Sequence, residues 1–299
     1  MSINTYKVFL GYKPIKMGLG NRLITTPYRG NLPACAERHL MPNAAWAWEF
    51  LRRNKQYQQD FAKAFWDSPD VIELVTGSRL VIAKKRYQKA RDWGLVCFAD
   101  PDFNALETEV VWKPSAFNAT VRVKLGDLQA ECESQHSNFG RVEESVILSE
   151  LPCRRVLYES VNKSRHIVLN TLDYWFQLYC DTEHPSSDKA IIRFRIDGGN
   201  HSLERMKTIA ELLSLAHSSS DSLSQLGTQK TTQMLQDSII ALDARKGGGS
   251  YRKISCALVG EKRTLEEWDS GNCVLKDKAR RALAMGRRFR DHDYLSLLG

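Results

Sequence analysis

The sequence lacks most of the devices that mark a membrane protein, a secreted protein or an enzyme. No stretch approaches the roughly 18 apolar residues of a membrane helix, and no apolar run of signal-peptide length stands at the N-terminus. A cytoplasmic protein without membrane contact is expected. Cysteine is odd in number and widely scattered. The seven residues Cys35, Cys97, Cys132, Cys153, Cys180, Cys256 and Cys273 never pair as CxxC, the close spacing that zinc clusters and disulfide frameworks need. Free thiols in a reducing compartment are expected. His166, His184, His201 and His217 show no HxxxH or HxH spacing. There is no GxxxxGK[ST] phosphate loop: Gly247-Gly248-Gly249 follows no strand and precedes no Lys-Ser/Thr, so it reads as a linker or cap. Asp197-Gly198-Gly199-Asn200 lacks the further oxygen ligands of a calcium loop, and no Gly-x-Ser-x-Gly elbow is present. The expectation is a non-enzymatic protein with no catalytic residues, metal or cofactor.

What the sequence does contain is an uneven excess of positive charge. The chain has 299 residues and a net charge of +8. Residues 226–299 hold 14 Lys and Arg against 9 Asp and Glu, a surplus of +5, and residues 1–225 hold 29 against 26, a surplus of +3. A quarter of the chain carries more than half of the excess, which points to a polyanionic partner for that quarter.

Within it, the segment from Gly247 to Arg290 reads as two helices in helix-turn-helix order. Ser250 can cap the first, because its hydroxyl can accept from the free amides of the first turn. Tyr251, Ile254 and Leu258 then recur on one face, with Arg252 and Lys253 pointing away, and Gly260 ends the helix. A second helix runs over about 272–290. At about 100° per residue, Leu275, Ala279, Ala282, Leu283 and Phe289 share one half. Lys276, Arg280 and Arg287 cluster on the other, with Arg281 and Arg288 beside them. Asp277 alone opposes seven Lys and Arg residues, Lys278 among them. Such a helix can dock on its own core while facing phosphates or base edges. The segment 261–271 is long for a turn, and Leu265 and Trp268 suggest a short helix of their own. Either 264–269 or 272–290 could therefore be the base reader.

The remaining chain reads as an α+β protein. Residues 1–42 are broken by Pro and Gly and read as an irregular extension. Asn43 caps a helix through Trp46, Trp48 and Leu51, and Asn54 caps another through Tyr57, Phe61 and Phe65. A third is predicted from Trp66 to Gly77 and a fourth from Arg79 to Arg91. Short β-rich runs follow at 94–99, 110–112 and 121–123, closing an α+β unit over 43–128. Residues 129–152 read as a linker. Strands at 155–158, 166–169, 174–179 and 191–196 predict a small antiparallel sheet. A helix over 202–216 follows, with Leu203, Met206, Ala210 and Leu213 on one face. A Ser-rich linker at 217–230 leads to a helix over 231–245, with Leu235, Ile239 and Leu242 inward, and to the helix-turn-helix-like part of 231–299.

Three groups of residues together resemble one family. Trp48-Glu49-Phe50-Leu51-Arg52-Arg53-Asn54 with Tyr57, and Ala90-Arg91-Asp92-Trp93-Gly94-Leu95 running to Phe98-Ala99-Asp100-Pro101, resemble a proteobacterial transcriptional regulator-like domain. Ala241-Leu242-Asp243-Ala244-Arg245, Ser250-Tyr251-Arg252-Lys253-Ile254 and Leu275-Lys276-Asp277-Lys278-Ala279-Arg280-Arg281 resemble the DNA-binding domain of RovC-type regulators of type VI secretion genes. The similarity spans about 43–299, and it makes 153–299 the RovC-like DNA-binding domain. Where family members often have Pro after the Asn that opens the second helix, Lys55 stands here.

The resemblance implies a bacterial transcriptional activator acting as a homo-oligomer, with a hexamer as the suggested assembly, on double-stranded promoter DNA, and with RNA polymerase as a further partner. The candidate DNA-binding residues are Ser250, Tyr251, Arg252, Lys253, Lys276, Lys278, Arg280, Arg281, Arg287 and Arg288. The competing expectation is a non-enzymatic adaptor or scaffold whose basic helix meets RNA or an acidic protein.

Overall fold

The computed structural model describes residues 41–64, 69–108, 110–128, 146–171, 173–182, 184–185, 188–196, 198–217, 229–268 and 273–299. The extension 1–40 and most of the 129–152 and 217–230 linkers lie outside these residues. Helices α1 (Asn43–Leu51) and α2 (Lys55–Ala64) open the chain, followed by strands β1 (Asp70–Glu73) and β2 (Arg79–Ile82) and the short helix α3 (Gln88–Asp92). Strands β3 (Val121–Asp127), β4 (Val146–Ile147), β5 (Arg154–Glu159), β6 (Arg165–Asn170), β7 (Trp175–Cys180) and β8 (Ala190–Arg195) come next. Helices α4 (Ser202–His217), α5 (Gln229–Lys246), α6 (Tyr251–Val259), α7 (Glu261–Trp268) and α8 (Val274–Asp291) complete the fold, and a 3-10 turn over Asp293–Leu298 ends it.

The boundary of α1 and α2 is set by cap chemistry. The side-chain oxygen of Asn54 accepts from the backbone N–H of Gln56 at 2.8 Å and of Tyr57 at 3.1 Å, so it satisfies two of the orphan donors at the start of α2. Lys55 fits the first helical position. Helix α1 is buried on all sides except at Asn43, its single carboxylate Glu49 included.

The sheet corrects the expectation of a small antiparallel one. Eight strands form a single sheet in the order β1-β2-β5-β6-β7-β3-β8-β4, with parallel pairing at β2–β5 and β3–β7. Strands β5, β6 and β7 are the antiparallel meander the sequence suggests. Strand β8 is not the fourth member of that run, because β3 is inserted between β7 and β8. Sequential strands therefore are not neighbours here, and the strand from the N-terminal half is what separates them.

Two predicted helices are also replaced. Residues 70–82 form a β-hairpin, closed by Leu74 N–H on the Ser78 carbonyl at 2.8 Å and by Gly77 at φ +79°. Val71, Ile72, Val81 and Ile82 are β-branched and fit a pleated strand better than a helix. The parallel pairing of β2 on β5 then fixes them. Only the last part of the predicted 79–91 helix is helical, as α3. The β-rich runs at 94–99 and 110–112 make one isolated bridge, Leu95 to Trp112.

Side chains alternate across the sheet. Val156, Tyr158, Val168 and Trp175 face the layer made by α1 and the C-terminal helices. Leu157, Ile167, Leu169, Phe176 and Leu178 face the opposite way, toward Ile209 and Leu212 of α4. On α4 the stripe Leu203-Met206-Ala210 points outward, since Thr208, Ile209 and Leu212 are the buried residues.

Candidate nucleic-acid interface

The C-terminal helices are built around α5. Leu235, Ile239 and Leu242 are buried on its inner side. The helix ends at Gly247-Gly248-Gly249, with Gly248 at φ +74° in the left-handed conformation that closes a helix. Gly249 passes so near α5 that a Cβ there would stand 2.4 Å from the Ala244 carbonyl oxygen. Arg245 fastens this turn, donating to the Gly249 carbonyl at 2.8 Å and lying 5.9 Å from the Tyr251 ring centroid. The glycines are a cap that aims α6.

Helix α6 begins where the Ser250 hydroxyl oxygen accepts from the Lys253 N–H at 3.3 Å. Ile254 and Ser255 are buried, and Ser255 donates to the Leu275 carbonyl at 3.2 Å, which ties α6 to the start of α8. Gly260, at φ +90°, is the only residue between α6 and α7. The stretch after α6 is therefore itself helical, and three helices in succession replace the two joined by a turn.

Helix α8 buries Leu275, Ala279, Ala282, Leu283, Gly286 and Phe289. Gly286 sits at its crossing with α5, where a Cβ would lie 2.6 Å from the Ser238 carbonyl oxygen and 2.8 Å from Leu242 Cγ. Phe289 stacks on Phe50 of α1, ring centroids 5.0 Å apart. The Asn54 amide donates to the Arg290 carbonyl at 3.0 Å, so one asparagine caps the start of α2 and satisfies a carbonyl at the end of α8.

The outward side of α8 carries the charge. Lys276, Arg280, Arg281, Arg287 and Arg288 are exposed. Among the described residues Lys276 and Arg287 meet no carboxylate within ion-pair distance, whereas Arg280 meets Asp277 at 3.2 Å, Arg281 bonds the Asp277 carbonyl at 3.4 Å and Arg288 meets Asp293. Lys276, Arg280 and Arg287 fall within about 40° of one another around the helix axis. Lys278 points elsewhere: it bridges to Asp237 of α5 at 3.1 Å and is half-buried. On α6, Ser250, Arg252 and Lys253 are exposed, and Tyr251 is half-buried against the core. Helix α7 is less cationic, with Glu261, Glu266 and Glu267 against Lys262 and Arg263, and Arg263 pairs with Glu267 at 2.8 Å.

The motif residues of the N-terminal part have a different role, which the sequence alone did not disclose. Arg53 grips Asp243 through two bonds, Nε to Oδ1 at 2.8 Å and Nη2 to Oδ2 at 2.9 Å. It also donates to the buried Glu49 carboxylate at 2.7 Å, which accepts from Arg52 at 2.7 Å as well. Burial opposes the charge on Arg53, but its bonds to Asp243 and Glu49 outweigh that and raise its pKa above the ordinary value. Glu49, Arg53 and Asp243 thus join α1 to α5. Two motifs about 190 residues apart in sequence are one junction.

Among the described residues no group of three or more His, Cys, Asp or Glu side chains could hold a metal ion, and no helix is long and apolar enough to cross a membrane. A folded C-terminal helical unit with one buried and one cationic side is the form of a nucleic-acid-binding domain. Comparison with known proteins gives that class a name. Residues 195–299 match the family model described as T6SS, transcription factor, DNA binding domain, and residues 36–97 match that of the proteobacterial transcriptional regulator-like domain. A comparison with curated proteins returned no match. The two domain matches bear out the resemblance read from the motifs, and they mark a type VI secretion transcriptional regulator with a DNA-binding domain.

Proposed function

We propose that the protein is a sequence-specific activator of type VI secretion genes, working in the cytoplasm as a homo-oligomer on double-stranded promoter DNA. Helix α8 is the reader. The observation that carries this is the division of α8 into a buried face fixed on α1 and α5 and an exposed flank of Lys276, Arg280 and Arg287. A rigid helix with three cations on one flank can enter a major groove, where arginine and lysine pair with guanine edges. Helix α6 supports it through the bond from Ser255 to the Leu275 carbonyl. Arg252 and Lys253 hold the phosphate backbone, as do Arg281 and Arg288 on the far side of α8. Helix α7 is a poorer reader because it carries three glutamates against two cations, and one of those cations, Arg263, is paired with Glu267.

Symmetric assembly, a hexamer in this reading, would make the binding site repeated or palindromic. The 43–128 unit and the sheet carry self-association and contact with RNA polymerase. The test is the triple variant Lys276→Ala, Arg280→Ala, Arg287→Ala in a promoter binding assay. Loss of about 1–3 kcal/mol for each base-contacting residue is expected. The circular dichroism should be unchanged, because all three side chains are exposed. A folded triple variant that binds its promoter as the parent does would refute the assignment.

A further inference from the structure

Helix α8 turns more than a row of cations to the solvent. At about 100° per residue, Ala284 and Asp277 lie roughly 40–60° round from Arg280, and Arg288 and Arg281 lie a further 20–40° beyond Asp277. The exposed arc therefore has a cationic rim on each side, Lys276, Arg280 and Arg287 on one and Arg281 and Arg288 on the other. Between the rims stand a methyl group and a carboxylate. Ala284 is exposed, and the Asp277 side chain is 47% exposed. The other carboxylate of α8, Asp291, is its last residue and is held by Arg290.

Short side chains between the rims let the helix sink toward the floor of a groove, while the long rim side chains reach the phosphates on either wall. The carboxylate works against such binding in general, because beside phosphates it repels and so lowers affinity for duplex DNA of any sequence. Its return in stability is small. The pair with Arg280 at 3.2 Å is exposed on both sides, and such pairs contribute little. A place in the first turn of α8 also favours the helix through its dipole. A carboxylate anywhere in that turn would serve the dipole, however, whereas Asp277 stands between the two rims. Its bond takes one amino group of Arg280, and a guanidinium has five donors. The pair thus orients Arg280 and leaves it donors for a guanine edge.

We infer that Asp277 and Ala284 determine which sequence α8 prefers. Asp277 accepts a hydrogen bond from the exocyclic amine of a cytosine next to the guanine taken by Arg280, and the Ala284 methyl packs on a thymine methyl further along the groove. The inference rests on the reading of α8 as the helix that enters the major groove.

The experiment is selection from a pool of random-sequence duplexes by the parent protein, Asp277→Asn, Ala284→Gln and the triple α8 variant, followed by fluorescence anisotropy on the selected site and a scrambled duplex. The parent should enrich one motif that holds a guanine beside a cytosine. Asparagine pairs with adenine N6 and N7, so Asp277→Asn should replace that cytosine by adenine and keep the other positions. Its affinity for the scrambled duplex should rise, since a carboxylate facing phosphates has gone. Ala284→Gln puts a long chain between the rims. It should weaken the selected site by roughly tenfold, with the thymine preference lost, and change the scrambled duplex little.

A folded Asp277→Asn variant that enriches the parent's motif unaltered overturns the role of Asp277 and leaves α8 standing. Equal binding of the selected site by Ala284→Gln does the same for Ala284. Loss of the whole motif in Asp277→Asn, with a lowered thermal midpoint, assigns the carboxylate to the stability of α8 and overturns its part in recognition. A parent that enriches no motif, or a triple variant that enriches the same one, ends the reading of α8 itself.

Discussion

His166 occupies the middle of β6 with its ring 4.9 Å from that of Tyr179 and 6.0 Å from that of Tyr158. It is buried, and its Nδ1 has no hydrogen-bond partner. Burial, with a smaller contribution from the charge of Arg91, lowers its pKa to about 4. The imidazole is therefore neutral in the folded protein at neutral pH. Because the folded pKa lies below the unfolded one, the unfolded chain binds more protons between the two values, and stability rises with pH across that window. This one group should add about 3 kcal/mol between pH 4 and about 6.5, and nothing further above it. Denaturant titrations over that range should show the slope, and His166→Phe, which keeps an apolar ring in place, should flatten it. An unaltered slope in the variant would place the proton elsewhere.

At the scale of elements, the α5–α8 crossing depends on Gly286. Replacing it by Ala would gain about 1 kcal/mol of helix propensity in isolation. Here the new methyl would meet the Ser238 carbonyl oxygen and Leu242, and overpacking of that kind costs about 1–3 kcal/mol. Gly286→Ala should lower the thermal midpoint and disturb the flank of α8 with it; a higher midpoint would show that the helices do not cross so closely. The sequence makes α5, α6 and α8 legible because each follows a local rule. Apolar residues recur at helical spacing, Ser250 caps α6, and Gly248 and Gly260 end the helices before them. Asn54 was legible as a cap for the same reason, but its second bond to Arg290 was not. The β1–β2 hairpin is hidden from a local reading because Ser68-Pro69-Asp70 resembles a helix start, while what makes 79–82 a strand is pairing with β5, some 77 residues away. The place of β3 between β7 and β8 is equally non-local. For α4, period alone identifies an apolar stripe, and only packing decides that Ile209 and Leu212, not Leu203 and Met206, face the sheet.

For the whole molecule, Arg53 and Asp243 explain why residues far apart in sequence resemble one family together. They fasten the N-terminal helices to α5, and Phe50 on Phe289 fastens them to α8, so the cationic flank is presented from a fixed support. Candidate residues were legible as a charge surplus, but their partners were not. Lys278 is held by Asp237, while Lys276 and Arg287 are exposed and meet no carboxylate at ion-pair distance among the described residues. A fixed cationic helix binds any polyanion to some degree, so the property that distinguishes a regulator is preference for its own promoter. The measurement that addresses this is a gel shift with the DNA upstream of its own gene and neighbouring operons, over a salt series and against excess random duplex. The account predicts a discrete complex that survives the competitor and weakens steeply with salt. A smear that vanishes as competitor is added would contradict it, leaving the basic end as a general polyanion grip.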